Sequence, residues 1–245
     1  MQTVRNLVVY MSDGLRWDHH PKRVSELGTT FRTIASSLHT PSAIASMFTG
    51  QYLPSHGIRG FTDSLGSGRQ TVLDWFPNTG LSESPGNFNE IVYANLLGRY
   101  DSISLGDIEE PFGWFMRDAG GHAPYDGFDE RLQTDETVRS YLKKHAGDEE
   151  QMRADYAAGI ESSVDRFERF VLKPLEEKGI RDETLVVFLS DHGQMLGEYG
   201  HVGESYPACP EIVYVPTTLV HPSLETTMSE DLFRHVDLKP TIAGI

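Results

Sequence analysis

Leu7-Val8-Val9-Tyr10-Met11-Ser12-Asp13-Gly14 and Leu185-Val186-Val187-Phe188-Leu189-Ser190-Asp191-His192-Gly193 are nearly the same string, written at opposite ends of a 245-residue chain. Each opens with five apolar residues, a β-branched Val-Val pair among them, and no polar alternation, the pattern of a strand covered on both faces. Residues 112–116 (FGWFM) and 211–215 (EIVYV, closed by Pro216) read as two further strands. Between them, 149–178 carries Tyr156, Ile160, Val164, Phe167 and Val171 three or four apart, which predicts an amphipathic helix with an interruption near Pro174. Residues 134–146 read as a second helix. Strands alternating with long helices predict the α/β class, a three-layer α/β/α sandwich around a mostly parallel central sheet. Residues 60–110, rich in Gly, Ser, Pro and Asn, read as long loops. No repeat or linker divides the chain, so residues 1–245 are read as a single catalytic domain.

In open α/β sheets, ligands bind beyond the carboxyl ends of the strands. The two opening strings therefore deliver Asp13, Asp191 and His192 to one rim. Two carboxylates and an imidazole suit a divalent cation, with Zn, Mn, Mg and Ca all open as its identity. Asp-Gly after a strand is also an ordinary turn; its recurrence at two strand ends, once with an added His, favours the metal. A second constellation, His39-Thr40-Pro41 through Gly50, reads as a short helix with Thr40 as N-cap, Pro41 at the first helical position and Gly50 at the exit. The Thr40 hydroxyl then stands at the positive end of the helix, where an anion or an alkoxide is stabilised. Plain capping is the alternative role.

Composition narrows the partners. Acidic residues number 36 against 21 basic ones, a formal charge of −15. Such a surface disfavours nucleic acid and anionic membrane, so neither is expected as a partner, and an anionic substrate would need a cation in the site to receive it. The single cysteine, Cys209, excludes an internal disulfide. The N-terminal apolar run of about five residues falls short of the roughly 7–15 of a secretory core and the about 20 of a membrane span. A cytoplasmic location is the expectation; homo-oligomerisation stays open.

With those residues in place, the chain resembles the sulfatase-like branch of the alkaline phosphatase superfamily. Five motifs carry the resemblance in order: VVYMSDGLRWDH (8–19), TPSAIASMFTGQYLPSHGI (40–58), GHAPYDG (121–127), TLVVFLSDHGQMLGEYG (184–200) and HVDLKPTI (235–242). The resemblance implies an alkaline phosphatase-like fold, one or two divalent ions as cofactor, and a small-molecule phosphate or sulfate ester as substrate. It implies Asp13, Asp191 and His192 as metal ligands and Thr40 as both nucleophile and metal ligand. His122 would contact the substrate's non-bridging oxygens or assist the leaving group. Arg16 would support the site, and His201 would touch substrate or metal. His122, Asp126, His201 and Glu204 are the candidates for a second ion.

Two departures bear on the reaction. Sulfatases carry Cys or Ser at the nucleophile position and convert it to formylglycine. Thr40 cannot follow that chemistry, because its β-carbon bears a methyl group. The family's nearby Arg is Ile44 here, and its late Lys falls at about Glu204. The resulting expectation is a metal-dependent phosphate or sulfate ester hydrolase with Thr40 as a metal-activated nucleophile forming a covalent intermediate. A sulfatase acting on sulfate esters, conventional or formylglycine-independent, and a degenerate homologue that binds metal or ligand without turnover are the alternatives. The chain ends soon after DLKPTI, where family members often continue into a small C-terminal subdomain.

Overall fold

The computed structural model describes residues 4–66, 68–83, 96–125, 138–204 and 208–245. Eight strands form one sheet: β1 (Asn6–Ser12), β2 (Thr29–Ile34), β3 (Asn78–Glu83), β4 (Asp101–Ser102), β5 (Phe112–Asp118), β6 (Thr184–Leu189), β9 (Tyr214–Val220) and β10 (Thr227–Arg234). A separate two-residue hairpin pairs β7 (Met195–Leu196) with β8 (Val202–Gly203). The sheet order is β10-β2-β9-β6-β1-β5-β3-β4. Within this sheet all described pairings are parallel except those of β9, which runs against both β2 and β6. The three-layer, mostly parallel sandwich read from the sequence is the observed architecture.

The alternation of β1 shows why both faces need cover. Leu7, Val9 and Met11 pack with Leu185, Val187 and Leu189 of β6 against α1 (Thr40–Thr49), which contributes Ala43, Ile44, Met47 and Phe48. Val8 and Tyr10, with Val186 and Phe188, pack on the other face against α2 (Glu149–Phe167) through Met152, Tyr156, Ile160 and Val164. Every one of these side chains is buried. Burial of an aliphatic side chain of this size contributes about 1.5–3 kcal/mol, which explains why the apolar runs are continuous.

Two expectations need correction. First, residues 211–215 are not a strand. Pro210–Val213 form a short helix, and the strand begins at Tyr214 and runs through Pro216 to Val220. The Pro216 carbonyl accepts from the Ser190 N–H (3.3 Å), so its nitrogen also points to the β6 side. There the ladder has already stopped, at Leu189 opposite Thr217. Proline cannot return a bond to the Ser190 carbonyl, and His235 Nε2 bonds that carbonyl instead (2.9 Å), so proline is tolerated inside a central strand. Second, 60–110 is not all loop, because β3 and β4 lie within it. The helix expected over 149–178, with an interruption near Pro174, is observed as such. A wide π-type turn spans Glu168–Leu172 and a last helical stretch spans Lys173–Glu177. Pro174 explains this, since its ring clashes with the preceding turn of an α-helix and its nitrogen has no proton to donate. The helix expected at 134–146 is observed over Val138–Lys144; residues 134–137 lie outside the described part.

β5, β1 and β6 are consecutive in the sheet and parallel. Their carboxyl ends, at Asp118, Ser12 and Leu189, open onto a common rim.

Candidate active site

Asp13 leaves β1 and Asp191 and His192 leave β6 at this rim, and all three are fully buried. Their ligand atoms lie within 4.8 Å of one another, the one such group of three among the described residues. His192 Nε2 is 3.4 Å from Asp191 Oδ2 and 3.8 Å from Asp13 Oδ1.

The hydrogen bonds leave one atom of each ligand facing the gap. Asp191 Oδ1 accepts from the Gly14 N–H (3.2 Å) and the His192 N–H (3.0 Å), while Oδ2 has no partner. Asp13 Oδ2 accepts from the guanidinium of Arg117, with Nε at 2.9 Å and Nη2 on the same oxygen, while Oδ1 has no partner. The His192 Nδ1–H donates to the Gly193 carbonyl (3.0 Å), which leaves the Nε2 lone pair available. A buried carboxylate oxygen without a donor is costly. Two such oxygens beside His192 Nε2 form a donor set that a divalent cation fits.

The charges agree with that fit. Burial opposes ionisation of Asp13, but Arg117, His122 and His192 outweigh it and bring its pKa down to about 2. Asp191 is raised, by burial first and then by the Asp13 charge. Burial disfavours the charged form of His192, yet Asp191 and Asp13 prevail and raise it. Two buried carboxylates at this spacing thus compete for compensating charge, and one arginine supplies only part of it.

Thr40 borders this group. The Thr40 hydroxyl lies 3.3 Å from His192 Nε2. The helix begins one residue earlier than the cap reading placed it: His39 is the N-cap, Thr40 the first helical residue, and Pro41 follows. The N-cap makes no side-chain bond, and Thr40 turns its oxygen to the metal cluster instead of the helix backbone. Gly50 closes the helix with φ 67°, as expected of a left-handed exit. Ser42, two residues on, donates to the Ile58 carbonyl (2.7 Å) and is occupied there.

His122 reaches the same rim on the loop after β5. Gly14 and Gly121 make this approach feasible. A β-carbon on Gly14 would lie 2.5 Å from the Gly121 carbonyl oxygen, and one on Gly121 would lie 2.6 Å from that of Asp13. With neither present, the β5 loop lies directly on the β1 turn. His122 Nε2 pairs with Glu204 Oε2 at 3.3 Å, and Nδ1 bonds the Ala123 carbonyl at 2.8 Å.

The remaining candidates are placed differently. Arg16 is 3% exposed, and its guanidinium donates to Asp18 (2.9 and 2.7 Å), Glu198 (2.8 Å) and the Gln194 carbonyl (3.3 Å). It braces the β1 exit against the loop that follows His192. His201 is half-buried at the foot of the β7–β8 hairpin and does not join the metal-ligand group. His122 and Glu204 pair with each other, and Asp126 lies outside the described residues, so no second ion site is assembled among the described ones.

Arg117 was not foreseen. Ile44, at the family's arginine position, is fully buried in the core and brings no charge to the rim. A guanidinium arrives instead from β5, where Arg117 pairs in register with Met11. The only sequence signal was Arg-Asp at the end of an apolar run. Asp118 beside it is held from α2 by Arg166 (2.5 and 3.0 Å).

A sequence model of the family described as Sulfatase matches residues 94–245. The low-salt glycan biosynthesis sulfotransferase Agl7 of Haloferax volcanii is 34% identical over 249 residues, covering 96% of this chain. The chain spans 59% of that relative's length. Among solved structures, a 2-O GAG sulfatase, BT1596, superposes with a TM-score of 0.73 at 13% identity, over 98% of this chain and 70% of that one. The phosphonate monoester hydrolase of Agrobacterium radiobacter gives 0.70 at 14% identity, over 98% and 73%. At these identities the two structures share the fold with this chain.

Proposed function

Because the chain belongs to the sulfatase family, we propose that it cleaves a sulfate or phosphate ester with Thr40 as nucleophile and a divalent cation held by Asp13 Oδ1, Asp191 Oδ2 and His192 Nε2. The observation that carries this reading is the pair of buried, partnerless carboxylate oxygens beside His192 Nε2, with the Thr40 hydroxyl 3.3 Å from that nitrogen. The ion supplies positive charge that favours the ionised Thr40 oxygen and offsets the charge of the ester oxygens.

The chain's own residues account for the rest. α1 holds Thr40 Oγ1 at the rim by its fixed first turn. This oxygen attacks sulfur or phosphorus, a bond from Thr40 Oγ1 forms, and the bond to the ester oxygen breaks. His122 gives its Nε2 proton to the departing oxygen. An acceptor oxygen then attacks the Thr40 ester, its proton passes to His122, and Thr40 is released. Arg117 holds Asp13 ionised throughout. Arg16 keeps the flanking loops in place without touching the substrate.

Water as acceptor makes this a hydrolase. A sugar hydroxyl as acceptor makes the same two steps a group transfer, a second reading favoured by the 34% identical relative named as a glycan-biosynthesis sulfotransferase. The test is release of nitrophenol from nitrophenyl sulfate and nitrophenyl phosphate esters, with added divalent metal, in the presence and absence of sugar acceptors. Thr40→Ala should lower the rate by about three orders of magnitude or more. A Thr40→Ala protein within about threefold of the parent would rule the nucleophile out.

A further inference from the structure

We infer that Arg117 sets which cation the site accepts, by confining Asp13 to one-oxygen coordination and so favouring a small transition ion such as Zn²⁺ over Ca²⁺. This rests on the metal reading above and concerns the choice among the ions that reading leaves open.

A carboxylate can bind a cation through one oxygen or through both. Ca²⁺ takes 6–8 oxygen ligands and commonly uses carboxylates through both oxygens, in flexible geometry. Zn²⁺ takes about four ligands, accepts imidazole readily and needs one oxygen from each carboxylate. In this chain both carboxylates are locked into the second pattern. Asp191 Oδ1 is held by two backbone N–H groups, those of Gly14 and His192. Asp13 Oδ2 is held by Arg117 through Nε and Nη2 together. The clamp is rigid, because Arg117 is 2% exposed and anchored in β5, which pairs with β1 up to Ser12 opposite Asp118.

Among the described residues, what faces the gap is Asp13 Oδ1, Asp191 Oδ2, His192 Nε2 and the Thr40 hydroxyl. That is a four-donor set with one nitrogen, poor in oxygen for Ca²⁺. The two locks differ in kind. The one on Asp191 is made of backbone and cannot be removed by substituting a side chain. The one on Asp13 is a single side chain, and so is the point at which the preference can be changed. A planar fork on one oxygen is a geometry that a lysine cannot reproduce, since an ammonium offers a point charge and no fork.

The experiment measures Zn²⁺ and Ca²⁺ binding to the metal-stripped chain by titration calorimetry and by the shift in melting temperature. Parent, Arg117→Met and Arg117→Lys proteins are compared. The parent should bind Zn²⁺ about 100-fold or more tighter than Ca²⁺. Arg117→Met should narrow that ratio by about tenfold, because Asp13 can then turn both oxygens to the ion, and Arg117→Lys should narrow it less. A merely structural arginine would lower the melting temperature of the stripped protein and leave the ratio unmoved, which would overturn the inference. So would Ca²⁺ binding to the parent within about threefold of Zn²⁺. If Arg117→Met does not fold, the ratio in Arg117→Lys decides between the same outcomes. If neither ion binds the parent, the metal reading itself is overturned and this inference with it, so the two failures are distinguishable.

Discussion

His122 Nε2 and Glu204 Oε2 stand 3.3 Å apart, so an acid meets the β5-loop histidine at the place where the family's late lysine would fall. Burial alone would keep the imidazole neutral, but Asp13 and Glu204 outweigh it and raise its pKa to about 9. His122 therefore carries its proton at neutral pH and is ready to give it to a leaving oxygen.

The consequence is a basic limb in the pH–rate profile. In the proposed reaction His122 is the acid only while protonated, so the rate should fall as pH rises through its pKa. A cation on Asp13 takes up part of the charge that raises it, so the limb of the loaded protein lies below about 9. Glu204→Gln removes the second carboxylate and should move the limb to lower pH still. The profile of kcat/KM for an ester with a poor leaving group measures this; identical limbs in both proteins would remove Glu204 from the account.

His235 predicts a loss of stability in mild acid. Its Nδ1 accepts from the Ser36 N–H (3.2 Å) and its Nε2–H donates to the Ser190 carbonyl (2.9 Å), so the fold needs it neutral. Burial lowers its pKa from 6.5 to about 4. The unfolded chain therefore binds this proton first as pH falls. Stability from this group is complete above 6.5 and is lost progressively down to about 4, amounting to at most about 3 kcal/mol. Denaturant unfolding across that window should show a steeper decline in the parent than in His235→Gln. Equal slopes would contradict the assignment.

Arg16→Met should cost stability more than affinity. The guanidinium is buried on Glu198, which is 16% exposed, and Arg153 also reaches that glutamate at 2.8 Å. Removing one partner of such a pair costs about 2–4 kcal/mol. Because Arg16 faces Asp18, Glu198 and Gln194, KM should change by less than about threefold. A large rise in KM with unchanged melting temperature would make it a substrate contact.

The sequence exposes Asp13, Asp191 and His192, the candidate metal ligands, because they follow from local strings: an apolar run, an Asp, a Gly. The same strings reveal β1, β5 and β6, whose side chains are buried on both faces. β2 (TTFRTI) and β10 (TMSEDLFR) escape that reading because they are polar and partly exposed. β2 is held inside the sheet partly by hydroxyl pairs, Thr30 with Thr218 (2.9 Å) and Thr33 with Thr217 (2.8 Å), which no one-strand pattern contains. Arg117 escapes for a related reason. A charged residue ending an apolar run reads as an exit to solvent, and only its registry beside β1 turns it onto Asp13. The Glu204–His122 pair joins loops far apart in the chain and likewise leaves no local signature.

The central claim is that Thr40, 3.3 Å from His192 Nε2, becomes covalently attached to the transferred group. The most direct measurement is peptide mass mapping of protein quenched during turnover of a slow sulfate or phosphate ester. The account predicts a sulfuryl or phosphoryl mass on the peptide containing Thr40, absent from Thr40→Ala. Turnover with an unmodified Thr40 peptide, or with the adduct on another residue, would contradict it.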